Sequence, residues 1–394
     1  MTRITTALPR DDTTPISDFV LDPYAIYRRY RAETPVIEVA SVGRVMLTKA
    51  ADTRMVKENW ELFSSDDPNT PMRRAFQAHT LMRKDGDAHA RERHAMASAF
   101  GAKAIRDVWL PLYQSIAEDY IGRLPRGESV DLFGAFAAPI SAKCLGHLVG
   151  LTQSSDDDLC RWSQVLIDGA GNFGFSDAPF ILSDATNGEI NAAIDAAIAR
   201  LKSEPHVDAI SAMISAEEPL SLEAIRSNIK IAIGGGINEP RDALCTAVYG
   251  LLSNPDQLAD AKANPKLWAN VFDETVRWVA PIQVSSRLVK EDTEIRGVPV
   301  AKDKVVMTIQ ASANHDEELY DAPHLFDIHR PKQSHQAFGN GPHFCMGTHI
   351  ARRMIADIVL PMLFDRFPDM RLAGDVPFRG FGFRGPISVP VTLN

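Results

Sequence analysis

The chain has 394 residues, 45% of them hydrophobic, with 42 basic against 51 acidic side chains and a net charge of -9. That balance argues against nucleic acid or an anionic membrane as the main partner, because both demand a concentrated positive face. No apolar run approaches the roughly 18 residues of a membrane helix, and the opening MTRITTALPRDD lacks the apolar stretch of a signal peptide, so a cytoplasmic small-molecule enzyme is expected. Residues 1–20, polar and rich in Thr, Asp and Pro, are expected to form a loosely held arm. Residues 21–394 contain no linker and are read as one domain despite their length. Tyr24, Ile26, Tyr27 and Tyr30 recur at helical spacing, and PVIEVASVGRVMLT then reads as a two-stranded hairpin. From about residue 50 to 280 the pattern is mostly helical, broken at RLPRGES, NFGFSDAP, SEPHVD and SNPDQ. Short β-rich segments return at TEIRGVPVAKDKVVMTI and around FRGFGFRGPISVPVTL, so the whole is mainly α with a minor β part.

Within the helical region, Ser221 to about Ser253 reads as one helix of about 50 Å. Its middle is a poor helix former. Gly234, Gly235 and Gly236 each cost about 1 kcal/mol and Pro240 about 3 kcal/mol relative to alanine. Pro240 also cannot donate to the Gly236 carbonyl, which predicts a kink with space for a diatomic ligand or water. The alternative is two helices joined by a glycine turn.

Four cysteines are too few and too scattered for a disulfide framework or a zinc site. Cys345 nevertheless lies in FGNGPHFCMG, directly before a long helical pattern, where unpaired amides favour an anionic sulfur. Gly339, Gly341 and Gly347 clear side chains from its surroundings, so a flat cofactor can approach the backbone. An inert, buried cysteine in a Gly-rich turn is the bland alternative.

The segment resembles the haem-binding signature of the cytochrome P-450 family, with Phe338, Gly341, His343, Cys345 and Gly347 at the matching offsets. Glu274 and Arg277, three apart in FDETVRW and so on one helix face, match the family's Glu-x-x-Arg pair, and Arg330 in FDIHRP matches the arginine that joins it. The resemblance implies a triangular, mainly helical α+β fold, haem b (iron protoporphyrin IX) as cofactor and Cys345 as the iron ligand. It also implies that Phe338 and Gly347 flank the haem and that His89, Arg93, Arg287 and His343 bind its propionates. A thiolate ligand pushes electron density onto iron and favours O–O cleavage, so the implied chemistry is insertion of one oxygen atom.

One position departs from the family's pattern. Where an acid and an alcohol are usual, this chain has Asn238 and Glu239, after Gly236. Asn238 cannot supply a proton as an acid, whereas Glu239 could do so through water. A substrate-organised relay or use of peroxide in place of dioxygen are the other routes.

GGGINEPRD and the ending GFGFRGP look most like a bacterial subgroup that demethylates small methoxy-aromatics such as guaiacol. In that subgroup phenylalanines line a small closed pocket, and Phe76, Phe173 and Phe383 occupy the corresponding places, with Phe175 and Phe381 able to exchange roles with them. Flat faces would orient one substituent of a ring toward the iron. Hydroxylation of a terpene or other small apolar substrate would use the same machinery, and a haem-binding sensor without turnover is a separate possibility. With no flavin, nicotinamide or iron–sulfur motif in the chain, electrons for dioxygen must come from NAD(P)H through a separate reductase or ferredoxin. Arg352 and Arg353 could meet such an acidic partner, or be ordinary helix charges.

Overall fold

The computed structural model describes residues 7–394. Its main sheet contains β1 (Arg10–Asp11), β2 (Val36–Val39), β3 (Arg44–Leu47), β4 (Phe63–Ser64), β6 (Val284–Val289) and β9 (Val305–Ile309) in the order β1-β2-β3-β9-β6-β4. β2 and β3 form the expected hairpin, with Val36 opposite Leu47 and Val39 opposite Arg44. β9 is buried along its whole length, as a central strand of VVMTI should be. A second sheet joins β5 (Glu128–Asp131), β10 (Arg371–Leu372) and β13 (Pro390–Leu393).

The helices that matter below are α1 (Ile16–Leu21), α2 (Tyr24–Glu33), α3 (Ala50–Glu58), α4 (Pro71–Phe76), α5 (Gly86–Met96), α6 (Ala138–Val149), α7 (Asp156–Ala170), α8 (Asp177–Ser203), α9 (Leu222–Ser253), α10 (Trp268–Trp278) and α11 (Thr348–Arg352). None of the described helices is long and apolar enough to cross a membrane.

The Ser221–Ser253 region is one helix of 32 residues, capped by the Ser221 hydroxyl, which accepts from the Ala224 amide. Three glycines and Pro240 would together cost it about 6 kcal/mol. Packing offsets that cost: α9 lies against α6 and α7, and most of its side chains are buried. The glycines take part in this packing. A Cβ on Gly234 would come within 2.9 Å of the Phe76 ring, and one on Gly236 within 2.5 Å of Leu145 Cδ1. A Cβ on Gly235 would meet nothing nearer than the Glu239 carboxyl at 3.9 Å. The open space expected beside the glycines therefore belongs chiefly to Gly235.

The beginning of the chain differs from the expected loose arm. Residues 1–6 lie outside the described residues, but β1 pairs with β2 in parallel, and Asp11 accepts hydrogen bonds from the Tyr30 and Thr14 hydroxyls, each at 2.6 Å. Phe19 is fully buried between Tyr27 and Phe381, with ring centroids at 5.9 and 5.3 Å. Arg384 donates to the carbonyls of Val20 and Leu21, and the Gly380 amide donates to Val20 as well. One aromatic side chain and one carboxylate are enough to hold a segment whose composition is otherwise polar.

On α10, Glu274 and Arg277 are both buried and form a two-point ion pair, Nε–Oε2 at 2.6 Å and Nη2–Oε1 at 2.7 Å. Arg277 also donates to the carbonyls of Asn314, Pro323 and Leu325. Arg330 reaches Glu274 at 3.4 Å and the Asp321 carbonyl at 2.5 Å. The three residues singled out in the sequence thus meet at one point, where they tie α10 to the irregular segment that leads into the Cys345 loop. Because both members of the pair are buried and hydrogen-bonded, removing one strands the other. Arg277→Leu should destabilise the protein by about 3 kcal/mol, read as a lower midpoint in urea unfolding followed by circular dichroism. An unchanged midpoint would show that the pair carries no stability.

Candidate functional site

The Cys345 loop is closed by the Cys345 amide donating to the Phe338 carbonyl at 3.0 Å. Gly341, at φ 66°, is required twice over. Its backbone is left-handed, and a Cβ there would come within 2.7 Å of the Lys57 carbonyl at the end of α3. α11 begins three residues after the cysteine, and Thr348 Oγ1 donates to the Cys345 carbonyl at 2.9 Å. Cys345 is accessible where it faces a large cavity, and protein surrounds it closely. Burial therefore raises its thiol pKa, while the Gly347 amide, the Thr348 hydroxyl and the Arg93 cation act the other way.

One cavity brings most of the singled-out residues together. Cys345, Phe338 and Gly347 line one side, and Gly236 and Glu239 of α9 line it too. Basic side chains from three further elements reach it: His89 and Arg93 from α5, Arg287 from β6, and His343 from the cysteine loop. Phe173 and Phe383 line it as well, together with Ile282 and Val284, while Gly382 leaves room for the Phe173 ring, 3.0 Å from where a Cβ would stand.

Two residues fall elsewhere. Phe76 is fully buried under Gly234 and is not among the cavity's lining residues. Asn238 points away from the cavity, accepting from Arg241 Nη1 at 2.9 Å and facing Gln164 of α7 at 3.4 Å. Arg241 is itself paired with Asp242 at 2.7 Å and donates to Gln164 at 3.0 Å. The side chain that replaces the usual acid is thus held in a polar network between α9 and α7. Of the interchangeable phenylalanines, Phe381 is buried edge-on against Phe173 at 5.4 Å, and Phe175 is half-exposed beside Phe180. Arg352 and Arg353 are ion-paired with Asp273 and Asp357 of the same chain.

Electrostatics divide the cavity into two ends. At the basic end, burial lowers His89 to about 4, with His343 and Arg93 adding to the effect, and lowers Arg287 to about 10, which leaves it cationic at neutral pH. Asp85, at the entrance of α5, does not cap the helix. Its carboxylate instead takes hydrogen bonds from Ser64 Oγ at 2.7 Å, the Ser65 amide at 2.8 Å and His343 Nε2 at 3.2 Å. Burial would raise it, but those hydrogen bonds outweigh burial and hold it well below the usual carboxylate range. It therefore fixes the His343 ring, whose centroid lies 4.1 Å from that of His89. At the α9 side, burial pushes Glu239 up to about 8, with Asp242 adding and Arg241 opposing, and among the described residues neither carboxyl oxygen has a hydrogen-bond partner.

Sequence reasoning missed Asp85, Lys57, Arg83 and Arg241. Only Asp85 carried a visible signal, an acid immediately before a helix, and that signal reads as an ordinary cap. Lys57 and Arg83 also line the cavity; among the described residues Lys57 Nζ has no hydrogen-bond partner, and Arg83 donates only through Nη1, to the Ser65 and Ser286 carbonyls at 3.5 Å.

These features fit haem b on the protein's own terms. At one end Lys57, without a hydrogen-bond partner among the described residues, and Arg287 beside it call for an anionic group, the walls between are largely apolar, and the Cys345 thiol lines the interior, as does Cys144. Among the described residues no three His, Cys, Asp or Glu side chains gather as a metal-binding group.

The sequence model of the family described as Cytochrome P450 matches residues 182–368. Cytochrome P450 107B1 of Saccharopolyspora erythraea is 30% identical over 297 residues, 74% of this chain and 71% of that protein. The Steroid C26-monooxygenase of Mycobacterium tuberculosis is 28% identical over 94% of this chain and 93% of its own length. Among solved structures, cytochrome P450 CREJ in complex with (4-ethylphenyl) dihydrogen phosphate superposes with a TM-score of 0.87 at 25% identity, over 95% of this chain and 97% of that one. The expected triangular α+β architecture is therefore the one observed, and this chain belongs to the cytochrome P450 family of monooxygenases, whose members bind haem b.

Proposed function

We propose that residues 21–394 act as one haem domain that oxidises a small, apolar, aromatic substrate, with removal of a methyl group from a methoxy-aromatic as the reaction that suits the cavity best. In this reading Cys345 ligates the iron, Phe338 and Gly347 flank the haem, and His89, Arg93, Arg287 and His343 hold its carboxylates, with Asp85 keeping His343 in place. Bound haem supplies activation of oxygen and insertion of one oxygen atom into a C–H bond. Electrons come from a separate reductase or ferredoxin, as in bacterial relatives of the family. With Arg352 and Arg353 already paired, such a partner would compete for them with Asp273 and Asp357.

The observation that carries the reading is the placement of Cys345, Glu239 and two phenylalanine rings on one cavity. Phe173 and Phe383 offer flat walls against which a ring can lie, and shape rather than charge then selects which substituent faces the iron. The complex of a related protein with a para-substituted phenyl compound lends this support. Glu239 is neutral at pH 7 because burial favours its uncharged form. A neutral carboxylic acid at this position can hold a proton on its carboxyl oxygen and pass it to water in the cavity, which Asn238, turned toward Arg241, cannot. Hydroxylation of a methyl ether carbon gives a hemiacetal that separates into formaldehyde and a phenol.

Three outcomes are expected. Carbon monoxide added to the reduced protein should give the strongly red-shifted Soret band of a thiolate ligand, and Cys345→His should remove it; a parent protein without that band would overturn the assignment. Glu239→Gln should lower the fraction of reductant recovered as product by about 10²-fold. In the parent the same fraction should fall as pH rises through about 8, where Glu239 ionises; a flat profile would remove Glu239 from proton delivery. Guaiacol-like methoxyphenols should displace iron-bound water and yield one formaldehyde per reductant consumed. Phe173→Ala should weaken that binding on the order of tenfold, whereas Phe76→Ala should act on stability, at about 3 kcal/mol. Preference for monoterpenes over methoxyphenols in the same spectral titration would replace demethylation by hydroxylation.

A further inference from the structure

Lys57 occupies the last turn of α3, is 2% exposed, and lines the cavity. Among the described residues its ammonium group has no hydrogen-bond partner. Burial drives its pKa well below that of an ordinary lysine, and the neighbouring Arg287 guanidinium lowers it further. The acids around this end of the cavity are already engaged. Asp85 serves His343 and Ser64, Asp67 faces Arg44 and accepts from the Asn69 amide, and Asp66 faces His79. Among the described residues, none of these carboxylates is left for Lys57. An ammonium so isolated is penalised by its desolvation, and an anion supplied from inside the cavity would relieve that penalty.

The backbone of the same residue has a second duty. The Lys57 carbonyl abuts Gly341, leaving no space for a Cβ, so α3 and the cysteine loop are held against each other at the point where the side chain enters the cavity. Arg287 and His343 reach the same end, and both are already assigned to carboxylates of the cofactor. We infer that Lys57 is a further binding residue for a haem carboxylate, gripping it from α3 while its backbone braces the loop that carries Cys345. This role presupposes the haem-thiolate centre proposed for Cys345.

The test compares the haem-loaded parent with Lys57→Met and Lys57→Arg. Transfer of haem to apomyoglobin should be on the order of tenfold faster from Lys57→Met, the effect of losing one charged hydrogen bond, and within about threefold of the parent for Lys57→Arg. The resonance Raman band for bending of the haem propionates should shift in Lys57→Met, since that mode reports hydrogen bonding to the carboxylate. Faster haem loss with an unchanged propionate band in Lys57→Met would mean that Lys57 acts only through packing, and would overturn the proposal. Should Lys57→Met fail to retain haem, Lys57→Gln takes its place: a shifted propionate band supports the contact and an unchanged one overturns it. A parent that binds haem with the thiolate Soret band while both variants keep its band and its transfer rate refutes Lys57 alone. A parent lacking that band refutes the haem-thiolate centre, and the role of Lys57 with it.

Discussion

The site depends on a sulfur atom held by its own backbone. The bond from the Cys345 amide to the Phe338 carbonyl closes a short loop, and Gly341 lets that loop lie flat against the end of α3. The buried ion pair on α10 reaches the same loop from the other direction, because Arg277 and Arg330 gather the carbonyls of residues 314–325 that precede it. A charge pair so fully desolvated adds little net stability. Its value lies in fixing where an irregular stretch of chain must run.

The long helix α9 shows how a chemical requirement and a packing requirement share one sequence. Two of its three consecutive glycines admit side chains from α4 and α6, and the one between them keeps the cavity open beside Glu239. Ser163 of α7 donates to the Gly234 carbonyl at 3.2 Å, so part of what a glycine-rich helix loses in stiffness is returned by a neighbour. Arg241, Asn238 and Gln164 extend the same connection. Asn238 is thus a tether between two helices, while Glu239, one residue along the chain, lines the cavity.

Much of this is legible in the sequence, and the boundary has a physical explanation. Cys345 with its glycines, the Glu274–Arg277 spacing and His89 with Arg93 are short motifs that stand out by their resemblance to a family's signature, and each lies on a loop or helix that one stretch of chain determines by itself. The same holds for the β2–β3 hairpin. Phe76 and Phe173 cannot be ranked from sequence, because both are aromatic residues near a turn and only tertiary packing decides which ring enters the core and which the chamber. Lys57 and Arg83 are invisible for a related reason: on a helix or in a loop a basic residue reads as solvated until the fold buries it. Residues 10–20 read as part of a loose arm because their composition is polar, whereas Phe19 and Asp11 help to anchor them.

That anchoring reaches further than stability. Phe19 packs on Phe381, Phe381 meets the edge of Phe173, and Arg384 clasps the carbonyls of Val20 and Leu21. The opening segment is thereby the outer backing of the turn that carries Phe383, so the aromatic wall of the chamber is upholstered from behind by residues with no place in the chemistry. A chain begun at α2 would lose Phe19 and the Val20 and Leu21 carbonyls, and with them the support behind Phe381, Phe173 and Arg384.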